Sequence, residues 1–183
     1  MHSVKYGKIV MKLDSQRIYL KKLSLEELNG NYVSWLNDPE VCRFNAHGES
    51  EYTQEKATDF IQSLAGDTAR EVWAVYLKQP HVHIGNIALQ SIDLKNKNAE
   101  IAYLFGEKEY WGKGYAMEAS VLLLRRGFEE LKLHRIYFGT HIENLQMQRL
   151  GEKLGFVKEG ILKDAQFKFG KYNDVVIFAR LAP

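Results

Sequence analysis

The chain has 183 residues, 45% hydrophobic and 26% charged, a composition that supports one domain with a sizeable core and excludes a disordered chain. Its 25 Lys and Arg stand against 23 Asp and Glu, a formal charge of +2 that gives no basis for nucleic acid or membrane as the main partner. The single cysteine, Cys42, excludes an intramolecular disulfide and a cysteine-based zinc site.

The basic stretch Met1 to Lys12 has Ile9-Val10-Met11 as its longest apolar run, too short for a signal-peptide core. No segment nears the roughly 20 apolar residues of a membrane span. The expectation is a cytoplasmic protein with one domain over residues 1–183. A strand is expected over Arg17 to Leu20. Ser24 with Glu27 three residues on reads as a capping box. It opens a single helix through Leu25, Leu28, Tyr32, Trp35 and Leu36 that stops at Asn37-Asp38-Pro39. A polar loop follows, then a second helix from about Thr53 that buries Ala57, Phe60, Ile61 and Leu64.

Val72 to Leu77, Ile84 to Leu94 and Ala99 to Phe105 read as three strands joined by short turns and therefore antiparallel. The pattern then changes: a helix from about Tyr115 to Leu131, a strand Arg135 to His141, and a helix Leu145 to Leu154 ended by Gly155. Two last strands, Val157 to Leu162 and Asp174 to Leu181, flank a loop over 163–173. The fold class is a mixed α/β sheet flanked by helices.

The stretch Glu109-Tyr110-Trp111-Gly112-Lys113-Gly114-Tyr115-Ala116 lies between a strand and a long helix. Its small residues let several backbone N–H groups and the positive helix end converge on one point, a site for phosphate or pyrophosphate. Read alone, Gly-x-Gly fits a plain glycine-rich helix start as well. The spacing matches neither a Gly-x-x-x-x-Gly-Lys-Ser/Thr loop nor Gly-x-Gly-x-x-Gly, which disfavours a nucleotide kinase and a Rossmann dehydrogenase.

This stretch resembles the coenzyme A pyrophosphate loop of GNAT acetyltransferases, Gln/Arg-x-x-Gly-x-Gly/Ala, which falls here on Trp111, Gly114 and Ala116. Trp111 departs from the pattern in a way known in the RimJ/RimL-like branch, where Tyr-Trp-Gly-Lys-Gly-Tyr-Ala followed by Glu118-Ala119 is familiar. Asn144, Glu152-Lys153-Leu154-Gly155-Phe156, Glu159-Gly160 and Trp35-Leu36-Asn37-Asp38-Pro39-Glu40-Val41 agree with it, so the resemblance spans roughly residues 16 to 181.

The resemblance implies the GNAT fold, a mostly antiparallel twisted sheet whose fourth and fifth strands, Ala99–Phe105 and Arg135–His141, splay apart. It implies acetyl-coenzyme A as co-substrate, with no metal. The pantetheine arm would lie between the splayed strands, and backbone N–H groups near Tyr103, Leu104 and Phe105 would polarise the thioester and stabilise its oxyanion. Trp111, Gly112, Lys113, Gly114, Tyr115 and Ala116 would hold the pyrophosphate, and Asn144 would bind the pantetheine or order the loop around it.

The attacking ammonium must lose a proton. Glu100, eleven residues before Trp111, stands where some members of the family place a general base; the alternative is a strand glutamate that pairs with a cation or positions substrate. The acid that many members place at position 151 is absent because Gly151 stands there. Met147 replaces the serine usual in the RimJ/RimL branch, which leaves Tyr103 or Tyr110 to assist the leaving thiolate.

His47 is expected at the border of the acceptor site, with Phe167 on the 163–173 loop, where Lys163, Lys168 and Lys171 add positive charge. His81-x-His83 lacks a third ligand and reads as a surface turn, and Cys42 reads as a packing residue. Arg125-Arg126 reads as a solvated helix face. The expected reaction is acetylation of a small-molecule primary amine, by analogy a nucleotide-linked amino sugar. The alternatives are a protein N-terminus, as in the RimJ/RimL enzymes, and a coenzyme A-binding module without catalysis. Relatives in the family are often dimers, so a homodimer is part of the expectation.

Overall fold

The computed structural model describes residues 12–183, so the Ile9-Val10-Met11 run lies outside the described residues. Eight strands form one sheet: β1 (Lys12–Asp14), β2 (Ile18–Lys22), β3 (Glu71–Leu77), β4 (His83–Asp93), β5 (Asn98–Phe105), β6 (Arg135–His141), β7 (Val157–Lys168) and β8 (Lys171–Leu181). Their order is β1-β2-β3-β4-β5-β6-β8-β7, and every neighbouring pair is antiparallel except β5 with β6.

Strand alternation divides the core in two. Trp73, Val75 and Leu77 of β3 join Leu89, Ile101, Ile136 and Phe138 under α3 (Tyr115–Arg125) and α4 (Leu145–Lys153). Ala74 and Tyr76 face the other way, under α1 (Tyr32–Asn37) and α2 (Gln54–Ser63), with Trp35, Leu36 and Ile61. α3 runs on into a π-helical turn over Arg126–Glu130. Among the described residues no helix is long and apolar enough to cross a membrane.

The edge strand β1 is not among the expected elements, and two further elements depart from the sequence reading. The single helix expected after Ser24 is two pieces, a 3-10 turn over Leu25–Asn29 and then α1, because Gly30 is extended (φ −109°, ψ −152°). The run Asn29-Gly30-Asn31 has poor helix propensity, which the apolar spacing around it does not reveal. The capping box does form: the Glu27 carboxylate accepts the Ser24 N–H at 2.8 Å. The loop expected over 163–173 is instead the closed end of the β7–β8 hairpin, paired as far as Lys168↔Lys171. Phe169 and Gly170, both at positive φ, make its turn.

Candidate active site

The parallel pairing of β5 with β6 covers only Asn98↔Arg135, Ala99↔Ile136 and Glu100↔Tyr137. Beyond Glu100, β5 stays on β4 as far as Gly85↔Phe105, while β6 stays on β8 as far as His141↔Val175. The two strands therefore part into a wedge. The Gly106 N–H bonds Ile84 O at 3.1 Å. By antiparallel alternation Leu104 also turns its backbone groups to β4, and Tyr103 and Phe105 turn theirs into the wedge. Of the three backbones expected to meet the thioester, Leu104 is thus the exception. The Phe105 carbonyl accepts the Trp111 indole N–H at 2.9 Å, so Trp111 braces the loop that leaves β5.

That loop enters α3 through two left-handed glycines, Gly112 (φ 72°) and Gly114 (φ 84°), the latter being the N-cap. The first intrahelical bond at this end is Glu118 N–H to Gly114 O, which leaves the N–H groups of Tyr115, Ala116 and Met117 without helical acceptors. A β-carbon on Gly112 would meet nothing within 4 Å, so the glycine there serves backbone conformation and not space. Lys113 lies 5.2 Å from the Tyr110 ring, and its carbonyl accepts Arg17 Nη1 at 3.0 Å. The Arg17 guanidinium stands 4.6 Å from the Tyr115 ring.

Glu118 anchors this corner. Its carboxylate accepts the Arg17 N–H (2.9 Å), Arg17 Nε (2.7 Å) and the Ser15 hydroxyl. Burial opposes the charge, but these hydrogen bonds outweigh it and hold the carboxyl below its ordinary range.

Glu100 is half-buried at the apex of the wedge, accepting Gln90 Nε2 at 2.9 Å and standing opposite Tyr137. Burial, then the Glu100 charge, pushes the Tyr137 hydroxyl upward. Tyr103 lies on the other face of β5, in the core beneath α3. Its hydroxyl bonds Ser120 Oγ at 3.0 Å, and Ser120 donates to Ala116 O at 2.6 Å. Burial raises the Tyr103 hydroxyl strongly, although Ser120 works against it. Glu100 and Tyr103 are therefore not brought together.

Asn144 caps α4: its Oδ1 accepts the Met147 N–H at 3.2 Å and its Nδ2 donates to Thr140 Oγ1 at 3.0 Å, which orders the turn at the end of β6. Position 151 carries glycine for packing reasons, since a β-carbon there would sit 2.5 Å from Phe138 Cζ.

The face opposite α3 and α4 presents Glu100, Tyr137 and His141. His47 is half-buried against Tyr52 (5.3 Å), and burial followed by the Lys168 charge lowers its pKa. Phe167 does not join it: it is exposed, packs on Tyr172, and lies on the strand face opposite Lys168. Lys163 is paired with Asp174 at 2.8 Å, and Lys168 is buried, so neither is a free loop cation. Arg126, expected in solvent, is paired with Glu71 at 2.7 Å. Cys42 is fully buried and its thiol is pushed up by burial. Among the described residues no group of three or more His, Cys, Asp or Glu is placed to hold a metal.

Residues 17–157 match the family model described as an acetyltransferase (GNAT) domain. The chain belongs to the GNAT acetyltransferase family. This acetyltransferase is 35% identical over 175 residues to the uncharacterized N-acetyltransferase p20 of Bacillus licheniformis, covering 92% of the chain and 95% of that relative. It is 33% identical over 98 residues, 54% of each protein, to a ribosomal-protein-serine acetyltransferase of Escherichia coli. The fold matches the crystal structure of spermidine N-acetyltransferase from Vibrio cholerae in complex with CoA and spermine, with a TM-score of 0.82 and 26% identity over 90% of this chain and 95% of that one.

The sequence reading missed Arg17 as the brace of the loop and Arg43 and Phe44 beside His141. The string Glu118-Ala119 marked the acceptor of the brace, but nothing local marked its donor.

Proposed function

We propose that this acetyltransferase uses acetyl-coenzyme A and acetylates the primary amine of a small molecule. The observation that carries the reading is the wedge between β5 and β6 opening beside the left-handed turn at Gly112 and Gly114. An extended amide-bearing arm fits the unpaired strand edges, and a pyrophosphate fits the free N–H groups of Tyr115, Ala116 and Met117. Lys113 adds a cation beside that point. Bound acetyl-coenzyme A supplies the thioester carbonyl to be attacked.

Every other part of the chemistry belongs to side chains and backbone of the chain. The Tyr103 and Phe105 backbones line the wedge, with the Tyr103 N–H as donor to the carbonyl oxygen. Glu100, at the apex and on the face open to acceptor, takes the proton from the incoming ammonium. Tyr137, a hydroxyl that is protonated at neutral pH as tyrosines ordinarily are, stands across from Glu100 as a proton donor to the leaving sulfur. In this reading Tyr103 is a backbone donor and a brace for α3.

A small acceptor suits the shape of the site better than an extended protein N-terminus. The loop after α1 is tied to the β7–β8 hairpin through Lys168 and Glu49, which closes the end of the face that a peptide would need open. An amino sugar linked to a nucleotide is one acceptor of this class. A homodimer through the edge strand β7, where Val157 and Leu162 are exposed, completes the reading, and sedimentation velocity checks it.

The test of the reaction is thiol release from acetyl-coenzyme A in the presence of a panel of small amines and N-terminal peptides. Turnover with small amines is expected. Turnover with peptides alone would overturn the acceptor class, and none with either would leave binding without catalysis.

A further inference from the structure

At the far end of the acceptor face, where the loop after α1 meets the β7–β8 hairpin, lies a cavity of about 160 Å³ bordered by Arg43, Phe44, His141, Glu143, Lys171 and Asn173. Its floor is built by Lys168, which is 2% exposed. The Lys168 ammonium donates to the carbonyls of Cys42 (2.6 Å), Asn45 and His47 (2.6 Å), spending all three of its protons on the loop. The nearby Glu49 carboxylate instead accepts the Phe169 N–H at 2.8 Å. With its carbonyls turned in to Lys168, the loop presents Arg43 and Phe44 to the cavity. The Arg43 guanidinium stands 4.8 Å from the Phe44 ring, and Phe44 packs on His141 at 5.3 Å.

The charges around this cavity lean positive. Arg43 and Lys171 have no carboxylate partner among the described residues, Lys168 lies beneath with its ammonium bonded to the loop carbonyls, and the acids beside them are Glu143 on the lining and Glu49, which is bonded to Phe169. Such a pocket attracts an anion and repels a polycation. Its location fixes the reach. His141 lies four residues along β6 from Tyr137, about 13 Å at the rise of a strand, so the cavity sits that far from the wedge apex.

We propose that this cavity binds an anionic group, phosphate or carboxylate, on the acceptor, while the acceptor's primary amine reaches Glu100. The proposal rests on the acetyltransferase reading and narrows it: the substrate is an amine with a negatively charged far end, and a polyamine is selected against.

The probes are 6-aminohexyl phosphate, 7-aminoheptanoate, n-hexylamine and spermidine, compared by kcat/KM under saturating acetyl-coenzyme A. The two acids are expected to exceed n-hexylamine by about tenfold, with spermidine lowest. The ratio of phosphate to carboxylate tells which anion the pocket was built for. Arg43→Ala with Lys171→Ala should erase the discrimination, whereas Lys153→Ala, which removes an exposed cation from the end of α4, should keep it. Calorimetry of 6-aminohexyl phosphate on protein preloaded with coenzyme A gives an independent readout, with binding lost in the double variant. Equal use of n-hexylamine, preference for spermidine, or discrimination that survives in the double variant would overturn this proposal alone. No acetyl-coenzyme A consumption with any amine would overturn the reading beneath it.

Discussion

Glu118, in the first turn of α3, accepts both the backbone N–H and the side-chain Nε of Arg17, a residue 101 positions earlier in the chain. The same guanidinium donates to the carbonyl of Lys113, so Arg17 ties the β1–β2 turn to the glycine loop and to the first turn of α3. The loop's N–H groups are thereby aimed before any ligand arrives, which is where preorganisation contributes to affinity.

Glu118→Gln keeps the shape of the side chain but removes the charge from these hydrogen bonds, a loss of about 1–3 kcal/mol. Acetyl-coenzyme A affinity measured by calorimetry should fall roughly tenfold or more, with the far-ultraviolet spectrum unchanged. An unaltered affinity would show that the loop needs no brace.

The pH dependence of this corner has a definite sign. The folded-state pKa of Glu118 is held below its ordinary value of 4.5, so its contribution to stability is complete above 4.5 and disappears as the pH falls through the folded value. Wild-type protein should lose thermal stability more steeply than Glu118→Gln as buffer is taken from pH 5 down to about pH 3. Parallel profiles would remove Glu118 from the account.

Glu100→Gln removes the proposed base and keeps its hydrogen bond to Gln90 possible. The expected result is a fall in kcat of about 10²–10⁴-fold, with acetyl-coenzyme A affinity intact. A variant with near-normal kcat would assign Glu100 to positioning and require another proton acceptor on the same face.

Gly151 is a packing position, so restoring a tyrosine there should not create an acid. Gly151→Ala alone places a β-carbon within 2.5 Å of Phe138 and should cost about 1–3 kcal/mol in urea unfolding. A stable Gly151→Tyr variant with raised kcat would contradict this.

Lys168→Met leaves three carbonyls of the 42–47 segment without their shared donor. Amide hydrogen exchange should rise across residues 42–48, and stability should drop by about 3 kcal/mol. Unchanged exchange would mean that the loop is held by its apolar contacts alone.

The fold was largely legible because its signals are local. Arg135–His141 is a strand with the bounds that its β-branched and aromatic residues suggested, and Thr53 caps α2 through a bond to the Lys56 N–H. The glycine loop was legible too, since only glycine takes the φ values found at positions 112 and 114 without strain. What escaped is what depends on distant pairing. Lys168 reads as a solvated loop cation until the hairpin folds it under residues 42–47. Phe167 reads as a ligand contact until strand alternation turns it outward. The partners Arg17 and Glu118 carry no local mark of each other, and the backbone direction of Leu104 follows from its register with Asn86.

The wedge and the Gly112–Ala116 turn are proposed together to bind acetyl-coenzyme A. Calorimetric titration of the wild-type chain and of Gly114→Trp tests this most directly. A large side chain at Gly114 must adopt φ near +84°, and its β-carbon would meet the Arg17 guanidinium at 3.5 Å, so the turn and its brace are both disturbed. The wild-type chain should bind saturably at a stoichiometry near one, and a folded Gly114→Trp variant should not bind. Absence of binding by the wild-type chain, or equal binding by the variant, would contradict it.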